Sequence, residues 1–241
     1  MSPSEQIRLP LRLKESASFE NFYSRQNQEV VNLLQSIADP AISKVVFLYG
    51  PEGAGKSHLL QATCKAMLQA SAASFYVSLG MDGVQPELLM DLTAYGLVCL
   101  DDADSIAGDA SWEEALLTLY ESLGESGGRL LIAGRYPPGQ GKFRLPDLVT
   151  RLASGGVWKV QSLSEEDLSH AIQLRARQRG IEIPDAVTAY LLRRVRRDPH
   201  TLFALLDQID EHAFAHQRRL TVPFVRDLAT RLLGNEALRC S

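Results

Sequence analysis

The sequence has little cysteine, no long apolar run and no surplus of positive charge, and each shortage removes a class of protein. Its three cysteines, Cys64, Cys99 and Cys240, lie far apart and form no Cys-x-x-Cys pair. That excludes a disulfide-stapled scaffold and a zinc ribbon or finger. No apolar stretch approaches the ~20 residues that a membrane-spanning helix needs. The opening residues, MSPSEQIRLP, contain no apolar core of a secretory signal, so a soluble, cytoplasmic protein away from membranes is expected. With 25 Lys and Arg against 29 Asp and Glu, a net charge of −4, the chain does not coat nucleic acid through bulk charge, although a local basic patch stays open. There is no internal repeat and no low-complexity linker. What remains is an ordinary globular composition, 45% apolar over 241 residues, which suits one large domain or two modest ones.

The most specific stretch is Gly50 to Ser57, GPEGAGKS, directly behind the run Val45, Val46, Phe47, Leu48, Tyr49. That run is short, β-branched and aromatic, and predicts a buried strand; Ser57 to Leu68 carries Leu59, Leu60, Thr63 and Met67 at helical spacing. Strand, glycine-rich loop and helix in this order form a phosphate-binding loop. The glycines turn backbone N–H groups inward around the phosphates, the positive end of the helix adds to the field, Lys56 reaches the β/γ oxygens, and the Ser57 hydroxyl ligates Mg2+. Gly50, Pro51, Gly53, Ala54, Gly55, Lys56, Ser57 and His58 are therefore the expected nucleotide cradle.

A second strand is predicted at Ser74 to Leu79, and a third apolar run, Leu97 to Leu100, ends in Asp101 and Asp102. An apolar strand that ends in two carboxylates downstream of such a loop supplies a Mg2+ ligand, Asp101, and a carboxylate that polarises water, Asp102. Adjacent acids at a strand end are also read as solvated loop residues or as a helix cap. Ala110 to Leu123 forms an amphipathic helix, ended by glycines at 124, 127 and 128. Strands follow at Arg129 to Ala133 and Val157 to Val160, with a short helix at Leu145 to Leu152 between them that carries Arg151. Five strands interleaved with helices predict an α/β fold, a P-loop αβα sandwich with a five-stranded parallel sheet. From Ser164 onward only helical signals appear: to about Arg179, from Pro184 to about Arg196, Thr201 to His216, and Pro223 to Leu233. The expected division is a tail over 1–17, an αβα core over 18–162 and a small all-helical domain over 163–241.

Ahead of the first strand, Phe19, Phe22 and Tyr23 are either ordinary core or part of an adenine wall, followed by a helix over Asn27 to Ile37. The tail contains Gln6-Ile7-Arg8-Leu9-Pro10-Leu11, an amide and three apolar residues around a proline that enforces extended backbone. It reads either as an unstructured terminus or as a linear motif that docks in a partner's apolar groove.

A P-loop αβα core followed by a small helical lid is similar to the AAA+ family. The FENFY segment with Asn27, the LPDLVTRL segment and the lid helices resemble the nucleotide-binding core of the bacterial replication initiator DnaA. The chain stops at residue 241 without a helix-turn-helix domain of the kind DnaA uses, so a DnaA core without DNA reading is expected. With its N-terminal QIRLPL, the whole chain resembles the DnaA-related regulatory inactivators. That resemblance implies that Lys56 and Ser57 hold phosphate and Mg2+, that Asp101 and Asp102 are the Walker B pair, and that Arg151 is an arginine finger for a neighbouring subunit's γ-phosphate. It implies that Gln6, Leu9, Pro10 and Leu11 dock on the DNA polymerase III sliding clamp (β subunit). The implied ligands are ADP, another nucleoside diphosphate or ATP, with Mg2+. The implied partners are DnaA, the clamp and, through the clamp, the DNA of the nucleoid; self-assembly stays open.

Two departures bear on activity. Where the family places a small polar or acidic residue after the strand at 129–133, this chain has Gly134-Arg135, and where it carries a lid arginine this chain has His200, in RRDPHTLF. An imidazole is shorter and only partly charged at neutral pH. Both departures suit a site that holds a diphosphate with weak or no turnover of its own, while activity appears in trans. Two other functions compete. One is an AAA+ ATPase such as a helicase loader of the DnaC type or a transposon-associated ATPase. The other is a nucleic-acid binder using Arg193, Arg194, Arg196 and Arg197. The QIRLPL tail argues against a loader, and the missing helix-turn-helix argues against the binder.

Overall fold

The computed structural model describes residues 13, 17–23, 25–39, 42, 44–178, 180–194, 201–206, 208–209 and 220–237, with side chains described through residue 231. Gln6, Leu9, Pro10, Leu11, Arg196, Arg197, His200 and Cys240 lie outside the described residues. In chain order the αβα part runs α1 (Gln28–Gln35), β1 (Val45–Tyr49), α2 (Lys56–Gln69), β2 (Ser74–Ser78), β3 (Leu97–Asp101), α3 (Ala110–Ser126), β4 (Arg129–Gly134), α4 (Pro146–Ser154) and β5 (Gly156–Lys159). The strands form one parallel sheet in the order β2-β3-β4-β1-β5. Parallel strands covered on both faces are apolar almost throughout, and all five positions of β3 are buried.

Alternation along β3 sends its side chains to two different helix layers. Val98 and Leu100 join the cluster built with Leu116, Leu119 and Leu123 of α3 and Leu148 and Leu152 of α4. Cys99 and Asp101 look to the opposite face, which α2 covers. There Cys64 of α2 donates its thiol to Ser74 Oγ of β2 at 3.3 Å, and Cys64 and Cys99 are both buried free thiols. Because the strands are parallel, the carboxyl ends of β1, β3 and β4 share one edge of the sheet, which is where open α/β sheets bind ligands.

Each expected strand and helix is met among the described residues, with shifts at its ends, and a 3-10 helix over Pro86–Leu92, between β2 and β3, was not expected. The helix after β3 does not stop at Gly124; it runs on until Gly127 adopts a left-handed φ of +79° as its C-cap. Its start is fixed by Asp109, whose side chain accepts from the N–H groups of Ser111 and Trp112. The last strand begins one residue early, at Gly156.

The C-terminal part is helical among its described residues: α5 (Glu165–Gln178), α6 (Asp185–Arg194), α7 (201–206) and α8 (Val222–Ala237). Ser164 caps the start of α5, its Oγ accepting from Asp167 N at 3.1 Å and donating to the Asp167 carboxylate at 2.8 Å. The four helices bury one apolar cluster that includes Leu168, Ile172, Val187, Leu191, Leu202 and Val225.

By their contacts the described residues fall into two compact units. One contains Asn32–Tyr49 and Lys56–Lys159; the other joins Glu20–Val31 and Gly50–Gly55 to the residues from Val160 onward. Within the second unit, Asn27 is buried and exchanges two hydrogen bonds with the backbone of Gln161. Gln178 donates to Glu20 O at 3.1 Å, and the rings of Tyr23 and His170 lie 5.6 Å apart. Among the described residues no helix is long and apolar enough to cross a membrane.

Candidate functional site

The glycine-rich loop depends on backbone conformations that side chains resist. Gly53 and Gly55 sit at φ +75° and +95°, and a Cβ at Gly55 would stand 2.6 Å from Cε2 of Phe22. Gly55 is thus required both by its dihedral and by the aromatic ring against it. Phe22, read from sequence as either core or ligand wall, lies against the loop itself. Ala54 is buried and donates its N–H to Pro51 O at 3.3 Å, which closes the turn, while Pro51 is exposed. Gly50 stands against the backbone of Val160, where a Cβ would collide.

Helix α2 starts at Lys56, so Lys56, Ser57 and His58 form its first turn. Burial pulls the Lys56 ammonium below its ordinary pKa. Asp101, then Asp104, then Asp102 oppose that shift, and Arg135 adds to it. Asp101 is 1% exposed and accepts from Tyr76 Oη at 2.9 Å and from Asp102 N at 3.0 Å. Its carboxylate also has a side-chain hydrogen bond with Ser57, although burial is the larger influence and pushes its pKa up. The two expected Mg2+ ligands, Ser57 and Asp101, are therefore in contact. Burial first, and the Asp101 charge second, push the Tyr76 phenol well above its usual range, so Tyr76 acts here as a donor.

Asp102 is placed differently. It takes a left-handed backbone at φ +55°, is exposed, and its carboxylate accepts from Ser78 Oγ at 2.6 Å, at the end of β2. In the strand order β2 lies on the side of β3 away from β1. Asp104, which sequence reasoning did not single out, turns the other way: its carboxylate accepts a short hydrogen bond from Arg135 N at the end of β4. It also acts on Lys56 more strongly than Asp102 does. The signal was present as Asp-Asp-x-Asp, but only the turn Ala103–Ser105 decides which of the acids returns toward β4.

His58 donates its Nε2 hydrogen to Ser18 O at 2.7 Å, so its ring is engaged with the segment before the aromatic cluster. Arg193, from the basic run, is exposed and donates to Ala189 O of its own helix at 3.1 Å.

Arg151 lies in the last turn of α4 and is held by side chains of two helices. Its Nε donates to Asp147 Oδ2 at 3.0 Å and its Nη2 meets Glu121 Oε1 at 3.0 Å, with the side chain 35% exposed. The guanidinium carbon stands 5.6 Å from the centroid of Tyr120. The hydrogen bond to Asp147 is the main reason its pKa is raised. The entry to α4 is clamped by Glu113 of α3, which is 1% exposed. Its carboxylate accepts from Gly108 N at 2.7 Å, Arg144 N at 2.9 Å and Leu145 N at 2.6 Å. A glutamate in the first turn of an amphipathic helix ordinarily faces water, so no local pattern distinguishes it.

Comparison with known proteins gives this geometry a family. The description "Bacterial DnaA ATPAse domain" covers a family model that matches residues 13–158, and the model "Hda, lid domain" matches residues 165–228. Domain III of the Thermotoga maritima replication initiation protein DnaA is similar at a TM-score of 0.77 and 19% identity, over 95% of this chain and 100% of that one. AMPPCP-bound DnaA from Aquifex aeolicus is similar at 0.70 and 19%, over 84% of this chain and 68% of that one. The Thermotoga maritima RuvB Holliday junction branch migration motor is similar at 0.66 and 18%, over 92% and 74%. At such identities the solved structures establish the fold, an AAA+ core of the DnaA kind with a helical lid. The family match spans more than half of the sequence and the lid match follows it, and on that ground the chain belongs to the DnaA-related AAA+ proteins of the bacterial DnaA ATPase-domain family.

Proposed function

We propose that the protein is a nucleotide-loaded regulator that docks on the DNA-loaded sliding clamp, promotes hydrolysis of ATP bound to DnaA by donating Arg151, and so represses re-initiation of chromosome replication. The observation that carries this reading is the placement of Arg151. Its polar partners are Asp147 and Glu121 on the surface of α3 and α4, and none of them is a residue of the chain's own loop. An arginine held in this way is available to a neighbouring molecule's phosphate, where it stabilises transition-state charge worth ~10³ or more in rate.

Its own site reads as a holder of ADP, another nucleoside diphosphate or ATP. The loop at Gly50–Gly55 and the N-terminus of α2 recognise phosphate without regard to base, and two of the related DnaA structures hold AMPPCP. Ser57 and Asp101 are hard oxygen donors already in contact, which fits Mg2+, an ion commonly held by one or two carboxylates together with phosphate oxygens and water. Bound there, Mg2+ would offset the charge on the phosphates. The Asp102 carboxylate is engaged by Ser78, and Arg135 occupies the end of β4, an arrangement better suited to holding nucleotide than to activating water. Gln6, Leu9, Pro10 and Leu11 supply the proposed clamp contact.

The test is single-turnover conversion of ATP to ADP on DnaA with clamp-loaded DNA. Wild-type protein should accelerate it and show little turnover by itself. Arg151→Ala should abolish the stimulation, and Lys56→Ala should abolish ADP binding measured by calorimetry. Stimulation by Arg151→Ala equal to wild type would remove the finger; rapid turnover by the protein alone would favour an ATPase of the helicase-loader or transposon type.

A further inference from the structure

The contacts of Arg151 divide its guanidinium unequally. The group presents five N–H donors in a planar fork and binds phosphate best through two adjacent donors. Asp147, one helical turn back on α4, takes Nε at 3.0 Å. That leaves the edge formed by the two terminal nitrogens as the remaining fork. Glu121, from α3, meets Nη2, one of the two nitrogens of that edge, at 3.0 Å, and Tyr120 lies under the guanidinium at 5.6 Å. The two helices that carry these residues are joined by Glu113, whose buried carboxylate binds the backbone at Arg144 and Leu145 just ahead of α4.

We propose that the two carboxylates have opposite roles: Asp147 is a positioning residue that aims Arg151, and Glu121 is a competitor that occupies half of its phosphate-binding fork until a nucleotide on the partner displaces it. This rests on the reading that Arg151 acts in trans. Glu121 is suited to release. Its side chain is 51% exposed, so water solvates it when the pair opens, and exposed ion pairs are weak. A terminal phosphate carries more charge than one carboxylate and accepts both terminal nitrogens at once. Asp147 needs no release, because a phosphate on the edge of the two terminal nitrogens leaves Nε in place.

The experiment is the same single-turnover assay with full-length protein, ATP-loaded DnaA and clamp-loaded DNA, with protein concentration varied. Glu121→Gln should raise the maximal rate about threefold, the fold-change expected from losing one exposed pair, without shifting the half-saturating concentration. Asp147→Ala should lower the maximal rate about fivefold, again without moving half-saturation, because the contact is formed at the reacting phosphate rather than in docking. Both effects should vanish in an Arg151→Ala background, since a double-mutant cycle isolates what passes through that side chain. A Glu121→Gln protein no faster than wild type would overturn the proposal, as would the same change persisting without Arg151. A shift confined to half-saturation would also overturn it, showing that the carboxylates serve docking. If Arg151→Ala alone stimulates like wild type, the finger itself fails, and that result is distinct from all the others.

Discussion

Asn27 and Gln161 meet across 134 positions of sequence: the Asn27 amide donates to the Gln161 carbonyl at 2.8 Å, and its oxygen accepts the Gln161 N–H at 2.8 Å. This one side chain satisfies both backbone groups of a residue just past β5. It ties the segment Glu20–Val31 to the residues that lead into the C-terminal helices, and the same segment brings Phe22 against Gly55.

Asn27→Ala should therefore cost about 1–3 kcal/mol of stability, because it strands a donor and an acceptor of Gln161 in a partly buried place. Asn27→Asp should also destabilise, since a carboxylate oxygen then faces the Gln161 carbonyl. Urea unfolding is the measurement, and a loss under about 0.5 kcal/mol for the alanine variant, the range of a neutral surface change, would refute this role.

The pH behaviour of Asp101 follows from its burial. Its folded-state pKa is raised above 3.8 chiefly by desolvation, so between 3.8 and that raised value the folded protein binds more protons than the unfolded chain. Stability associated with this group is fully present below pH 3.8 and is lost as pH rises through the folded pKa. The stability of Asp101→Asn relative to wild type should accordingly improve as pH rises from 4 to 7.5, on top of a constant cost for turning an amide donor toward the Tyr76 hydroxyl or the Asp102 N–H, while Mg2+-dependent nucleotide binding is lost. Denaturant unfolding of both proteins across this range checks the sign; an advantage that grows toward acid would contradict it.

Glu113→Gln tests the clamp on α4. The glutamine amide would point at least one donor at the N–H groups of Gly108, Arg144 and Leu145, so a loss of about 2–4 kcal/mol is expected. Weaker stimulation of DnaA should accompany it, since the approach to Arg151's helix is no longer held. Thermal unfolding together with the turnover assay reads both effects, and an unchanged melting temperature would show that the three N–H groups find other partners.

The tail makes the opposite kind of prediction. Replacing Gln6, Leu9 and Leu11 with alanine should leave the melting temperature unchanged and abolish co-elution with the sliding clamp. The wild-type affinity should be modest, because ordering a short segment costs free energy on binding. Clamp binding that survives the triple replacement would place the contact elsewhere on the protein.

What the sequence by itself determined is whatever can be encoded within about ten residues. The apolar run at 45–49, the glycines with positive φ at 53 and 55 and the helix at 56–69 each follow from local period and local sterics. The same holds for the later strands, the helix cap at Ser164 and the helices of the C-terminal part among its described residues. The expected partnership of Ser57 with Asp101 was also legible, because period-two alternation along an apolar strand that ends in an acid puts that acid on one definite face. Which of the acids after β3 turns toward β4, however, depends on a single three-residue turn, and there Asp104 rather than Asp102 meets Arg135 N. Glu113 carries no mark of burial in its own helix; it is buried because the chain returns 31 residues later and offers it the N–H groups of Arg144 and Leu145. Nothing in the sequence around Arg151 names Glu121 and Tyr120, which hold it from another helix. Tertiary structure decided these cases for one physical reason: a side chain's period tells which way it points, but its partner is supplied by a distant stretch of chain whose arrival no local pattern records.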